Sequence, residues 1–168
     1  MLFVSLHKKI RMKILLLACI LIVSCQSNGQ NDKKQKDFPI QKTEKEWKKD
    51  LSDQEYKVLR EAGTERAFSS ELLKIEEAGT FVCAACENPL YKTKHKFKSG
   101  TGWPSFDRAI EGSIAYDSDQ KLGYTRNELL CANCGSHLGH VFDDGPQETT
   151  GKRHCINGVA LDFKPKSQ

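Results

Sequence analysis

The chain has no apolar run of the length, about eighteen residues or more, that a membrane-spanning helix needs; Ile14 to Val23 is too short to cross a bilayer comfortably. Its glycine-rich stretch is not followed by Gly-Lys-Ser/Thr, which excludes a phosphate-binding loop. It shows no internal repeat beyond two short cysteine pairs. It also lacks a lasting charge bias. The formal net charge of +4 rests on Lys8, Lys9, Arg11 and Lys13, and the rest of the chain is neutral. No nucleic acid is therefore implied as a partner, and no membrane attachment by charge alone. Lys92, Lys94, Lys96 and Lys98, alternating with Thr93, His95 and Phe97, read as the solvated face of one strand.

What is present begins with a targeting signal. A basic stretch, His7 to Lys13, precedes the apolar run, which ends in Ile22-Val23-Ser24-Cys25. This is a secretory h-region followed by small residues, and it resembles a bacterial lipoprotein box. Residues 1–24 are read as the signal peptide, starting at Met1 or Met12, with Cys25 as the lipidated residue. Residues 25–45 are then the lipidated N-terminus and a flexible tether, since Gln26 to Lys36 is polar. Residues 46–164 form one domain and 165–168 a polar tail. The expected location is the cell envelope or periplasm, with a lipid anchor in the membrane.

The domain reads as mainly β, an antiparallel sheet or barrel-like core behind a small helical N-terminal section. Ser52-Asp53-Gln54-Glu55 is a capping-box pattern, and the helix it opens is expected to end at Gly63. From Gly79 onward, short apolar runs separated by Gly, Pro, Asn and Asp mark strands. Expected strands include 95–98, 113–117, 122–126, 128–131, 141–142 and 153–156.

The cysteines divide by spacing. Cys83/Cys86 and Cys131/Cys134 are Cys-x-x-Cys pairs, each after a strand and before a turn residue. Two such knuckles suit tetrahedral four-thiolate ligation, and Zn²⁺ tolerates thiolates and is redox-inert. Two local disulfides, or a thioredoxin-like centre, remain alternatives. The latter needs the pair to open a helix, and Pro89 and Gly135 leave no such helix. Forty-four residues separate Cys86 from Cys131, so the metal would clamp a domain rather than make a finger.

Cys155 is left unpaired, in Arg153-His154-Cys155-Ile156-Asn157. A thiol becomes nucleophilic where cations and donors stabilise its thiolate. If the segment is a strand, Arg153, Cys155 and Asn157 share a face. His137 and His140 follow the second knuckle. With four thiolates already filling a tetrahedral shell, acid–base work suits them better than ligation. Trp103, after a Gly-x-Gly loop, is either core or the wall of a small apolar pocket.

Thr64-Glu65-Arg66, the two knuckles, Ser99 to Phe106, Cys131 to Pro146 and Arg153 to Asn157 together resemble methionine sulfoxide reductases of type B, over about Trp47 to Phe163. The resemblance implies that Cys155 attacks the sulfur of a methionine-R-sulfoxide, in oxidised proteins or free, and is left as a sulfenic acid. It implies that His140 with His137 protonates the oxygen, that Arg153 and Asn157 support the thiolate, that Asp144 orients the acid–base group, and that Trp103 receives the sulfoxide methyl. Many members place a resolving cysteine where this chain has Thr101. The reductant is then an external thiol, thioredoxin-like or small. A non-catalytic zinc-ribbon adaptor and a thiol–disulfide exchange protein are the competing classes.

Overall fold

The computed structural model describes residues 37–120 and 122–167. The signal segment, Cys25 and residues 26–36 lie outside the described residues. Thr43 and Ser52 each accept from the N–H three residues on, and Glu46 and Glu55 reach back to the cap N–H. These reciprocal capping boxes start α1 (Glu44–Asp50) and α2 (Asp53–Leu59). Seven residues are too few for a helix to persist alone. Burial of Trp47, Tyr56, Val58 and Leu59 holds both helices in place. α2 ends at Leu59, ahead of the stop expected at Gly63, because Ala62 turns left-handed and the Gly63 N–H closes onto Lys57 O at 2.9 Å. Residues 37–45, read as tether from composition, are docked on the domain. The Ile40 N–H donates to Asn133 O at 2.8 Å, and the Phe38 ring lies against Gly135.

Among the described residues nine strands follow: β1 (Gly79–Cys83), β2 (Pro89–Lys92), β3 (Lys96–Phe97), β4 (Ser105–Phe106), β5 (Ile114–Asp119), β6 (Arg126–Cys131), β7 (His137–Phe142), β8 (Arg153–Ile156) and β9 (Leu161–Pro165). They form two antiparallel sheets, ordered β2-β1-β9 and β3-β4-β8-β7-β6-β5. The mainly β, antiparallel expectation holds, with two sheets as its form. Three local expectations change. Residues 122–125 are the turn of the β5–β6 hairpin, because Gly123 adopts φ 82° and its N–H bonds Gln120 O. β4 sits inside the glycine-rich motif, where Gly100, Gly102 and Pro104 read as loop. A 3₁₀ turn at Thr93–His95 breaks the lysine alternation, and these lysines bind locally: Lys96 Nζ caps Leu73 O and Ile75 O at 2.9 and 3.0 Å.

The core joins the sheets through aromatic contacts. Phe106 stacks on Tyr91 with centroids 4.2 Å apart and meets the Phe81 edge at 5.0 Å. Tyr91 Oη lies 3.2 Å from His154 Nδ1. Burial pushes His154 down to about 4, so it is a neutral imidazole at pH 7. Alternation along β8 then divides its residues. His154 and Ile156 anchor the strand in the core, while Arg153 and Cys155 project from the opposite face.

Candidate functional site

The two knuckles have the same backbone geometry. The Cys83 N–H bonds Asn88 O and the Cys131 N–H bonds Ser136 O, both at 2.9 Å. Glu87 and Gly135 each follow the second cysteine in left-handed conformation and donate to the carbonyl of the first. Each turn thereby aims two sulfurs at one point. All four Sγ atoms lie within 4.8 Å of one another, with Cys83–Cys134 at 3.8 Å and Cys86–Cys131 at 3.6 Å. Sulfurs about 2.3 Å from a tetrahedral ion stand about 3.8 Å apart, whereas a disulfide is near 2.05 Å. The donor set therefore fits a metal and not two disulfides. Contacts with Cys131 push Cys83 and Cys134 up, while contact with Cys134 holds Cys131 down. Four bare thiols cannot all ionise at this spacing, and a cation resolves the conflict. Because Cys83 ends β1 and Cys131 ends β6, the cluster ties one sheet to the other.

On the outer face of β8, Cys155 pairs in register with His140 of β7 on one side and Ser105 of β4 on the other. Gly139 is required there, since a Cβ would collide with Cys155 O. A pocket of about 130 Å³ is lined by Thr64, Trp103, Arg126, His140, Phe142, Cys155 and Asn157. Burial pushes the Cys155 thiol above its ordinary value, against the opposing pull of Arg153 and Thr101. Thr101 Oγ1 lies 4.0 Å from Cys155 Sγ and ends a hydroxyl chain through Ser99 (2.9 Å) to Ser105 (2.7 Å).

His140 Nε2 is bonded to the Asp119 carboxylate, which Arg126 holds with contacts of 2.9, 3.1 and 3.3 Å. Burial pulls His140 below its ordinary value, and Asp119 partly offsets this. His137 stands behind His140, rings 5.3 Å apart, with Nδ1 on Glu128 at 2.6 Å. Asp144 reaches neither histidine. It grips the Arg153 guanidinium through two contacts of 2.8 Å, and Arg153 stacks on Phe142 at 4.5 Å. Asn157 lines the pocket, but its amide is engaged by backbone, accepting from the Glu65 N–H at 3.0 Å and donating to Leu138 O at 3.1 Å.

The structure thus brings together Cys155, His140, Trp103 and Asn157, with Arg153 and His137 in support. Sequence reasoning missed Asp119, Arg126 and Glu128, which lie on a hairpin without a motif. It also missed Glu65, whose carboxylate accepts from the Gly158 and Val159 N–H groups at 2.5 and 3.0 Å. Glu65 did lie in Thr64-Glu65-Arg66, one of the stretches that carried the resemblance, and that was the available signal.

A lone thiol at the floor of a small pocket, beside a carboxylate-paired histidine and on a fold whose four further thiols can hold a metal, defines a thiol enzyme. The SelR domain matches residues 51–165. A peptide methionine sulfoxide reductase MsrB of Chromohalobacter salexigens is 50% identical over 127 residues, covering 75% of this chain and 96% of that protein. Proteins of the same name from Leifsonia xyli and Methanosarcina barkeri are 46% and 48% identical, covering 79% and 77% of this chain and 96% and 91% of their own. The chain belongs to the SelR-domain family of type B methionine sulfoxide reductases.

Proposed function

We propose that this enzyme reduces methionine-R-sulfoxide in oxidised proteins to methionine, with Cys155 as nucleophile. The observation that carries the reading is the position of Cys155. It alone among the described cysteines stands outside the four-sulfur cluster, and it floors the pocket that Trp103 and His140 flank. A volume of about 130 Å³ corresponds to roughly four waters of bulk volume, which suits a methylsulfinyl group with its methyl against Trp103.

The proton count supports the chemistry. With Cys155 raised and His140 lowered, the empty site at neutral pH holds a neutral thiol and a neutral imidazole. Between them these carry the one proton the reaction moves. Cys155 sulfur adds to the sulfoxide sulfur, and the S–S bond of that adduct breaks again as the oxygen moves across to Cys155. The substrate S–O bond breaks, a Cys155 S–O bond forms, and methionine sulfur keeps the electron pair. The thiol proton passes through His140 to that oxygen. Methionine leaves and Cys155 remains as sulfenic acid, two electrons more oxidised. His140 commits Nε2 to Asp119, so Nδ1 is the nitrogen that serves the proton. Asp144 fixes Arg153 beside the thiol, and the Thr101 hydroxyl supplies a further donor to it.

No other described cysteine is outside the cluster, so two equivalents of an external thiol regenerate Cys155, releasing water and a disulfide. A thioredoxin-like protein or a small thiol fills that role. Cys83, Cys86, Cys131 and Cys134 would hold Zn²⁺, which supplies a structural clamp and takes no part in the redox step. The signal segment and Cys25 support an exported, membrane-anchored lipoprotein.

The test is turnover of the separated R and S epimers of blocked methionine sulfoxide, with dithiothreitol, by wild type and Cys155→Ser. Wild type reduces the R epimer alone, and the variant reduces neither. Activity in Cys155→Ser, or on the S epimer, rejects the proposal.

A further inference from the structure

Phe68 is the most exposed large apolar side chain among the described residues, 71% open to solvent, and its backbone is left-handed at φ 63°. Both features cost stability: an aromatic gains nothing from water, and a bulky residue resists positive φ. The chain nevertheless fixes it there. The Phe68 N–H donates to Gly102 O at 2.8 Å, and the ring lies so close over Gly102, itself at φ 91°, that any Cβ at that glycine would strike it. Strained residues held firmly by their surroundings concentrate where a protein meets its ligand.

What Phe68 overlooks is a second cavity of about 210 Å³, walled by Phe68, Leu73, Phe97, Trp103 and Pro104. Trp103 is also a wall of the reactive pocket. The two cavities therefore share Trp103 as a lining residue, so a peptide with its sulfoxide in the first has the second beside it. The lysines at this cavity are already satisfied. Lys96 is spent on Leu73 O and Ile75 O, and Lys98 pairs with Glu76 at 2.7 Å. The cavity thus offers mainly apolar walls, with Lys96 held by backbone carbonyls and Lys98 paired with Glu76 at the surface.

We infer that this cavity is a substrate subsite, taking an apolar side chain adjacent to the oxidised methionine in the polypeptide, with Phe68 as its exposed wall. The inference rests on the proposed sulfoxide chemistry and adds a preference for neighbouring sequence. A free amino acid would use the reactive pocket alone, whereas a peptide would use both.

The experiment compares three R-sulfoxide substrates: a blocked single residue, and blocked tripeptides with leucine or serine on both sides of it. In wild type the leucine tripeptide exceeds the serine one by about tenfold in kcat/KM, the scale of one apolar contact in a specificity pocket. Phe68→Gly removes that preference, leaves the single residue unchanged, and does not lower the melting temperature, because glycine accepts positive φ freely. Phe68→Leu keeps most of the preference. Equal rates for the two tripeptides in wild type overturn the subsite. So does a Phe68→Gly enzyme that retains the preference, or one that loses rate equally on the single residue. A wild type inert toward all three substrates would instead reject the sulfoxide chemistry itself, and the subsite with it.

Discussion

Glu65 offers the sharpest structural prediction, because its whole side chain works where the reactive strand ends. It is 7% exposed. Its carboxylate is the acceptor for two consecutive N–H groups, Gly158 and Val159, and its own N–H fixes Asn157. Its carbonyl also accepts from Trp103 Nε1 at 3.3 Å. Replacing Glu65 by Gln keeps the volume but turns one acceptor into a donor that faces an N–H. One charge-assisted bond is lost and one buried donor is left unpaired, a destabilisation of about 2–3 kcal/mol. Glu65→Ala strips both N–H groups of their acceptor and opens a void, for about 3–6 kcal/mol. Against the 5–15 kcal/mol typical of a domain this size, the alanine variant approaches unfolding. Urea denaturation of metal-loaded protein measures both. A change below about 0.5 kcal/mol in the glutamine variant, the level of an ordinary surface substitution, would refute the assignment of Glu65 as the strut of this segment.

The remaining expectations follow from the other clusters. Cys131→Ser should release bound metal and shift unfolding sharply downward, because thiolate–metal energy is folding energy; elemental analysis and denaturation decide, and a metal-free protein of full stability would contradict the clamp. The pH profile of kcat/KM should be a broad bell, since the reactive form carries one proton between Cys155 and His140. Rate falls in acid as His140 gains a second proton, below the ordinary histidine value of 6.5, and in alkali as Cys155 ionises above its ordinary 9.0. Asp119→Asn removes the anion that holds His140 up, so the acid limb moves to lower pH and the plateau drops; an unmoved limb would detach Asp119 from His140. Metabolic labelling with a fatty-acid analogue should mark the wild type and not Cys25→Ala, and an unlabelled wild type would point to an ordinary signal peptide.

Much of this was legible in sequence because it depends on local geometry. Cys-x-x-Cys turns carry their own ligand spacing, and the capping box at Ser52 spans only four residues. Alternation along residues 153–157 put Arg153, Cys155 and Asn157 on one face before any fold was known. What stayed hidden depends on pairing between distant strands. Asp119 meets His140 only because β5, β6 and β7 are neighbours, and neither the hairpin turn at Gly123 nor the register of Glu128 with His140 has a local signature. Asp144 shows the same limit. The resemblance implied a role for it at the acid–base group, but β7 and β8 pair so that Phe142 faces Arg153, and the carboxylate takes the guanidinium. Thr101 was noticed as an absent cysteine, yet its hydroxyl is a neighbour of the thiol in its own right.

The central claim is that Cys155 takes the sulfoxide oxygen and keeps it until an outside thiol arrives. A single turnover without reductant tests this most directly. Enzyme is mixed with excess R-sulfoxide, methionine is counted, and a sulfenic-acid trap locates the oxidised residue by mass spectrometry. The account predicts one methionine per chain, the trap on Cys155, and no new intramolecular disulfide. A disulfide between Cys155 and Cys83, Cys86, Cys131 or Cys134, or a trapped oxygen on any other cysteine, would contradict it.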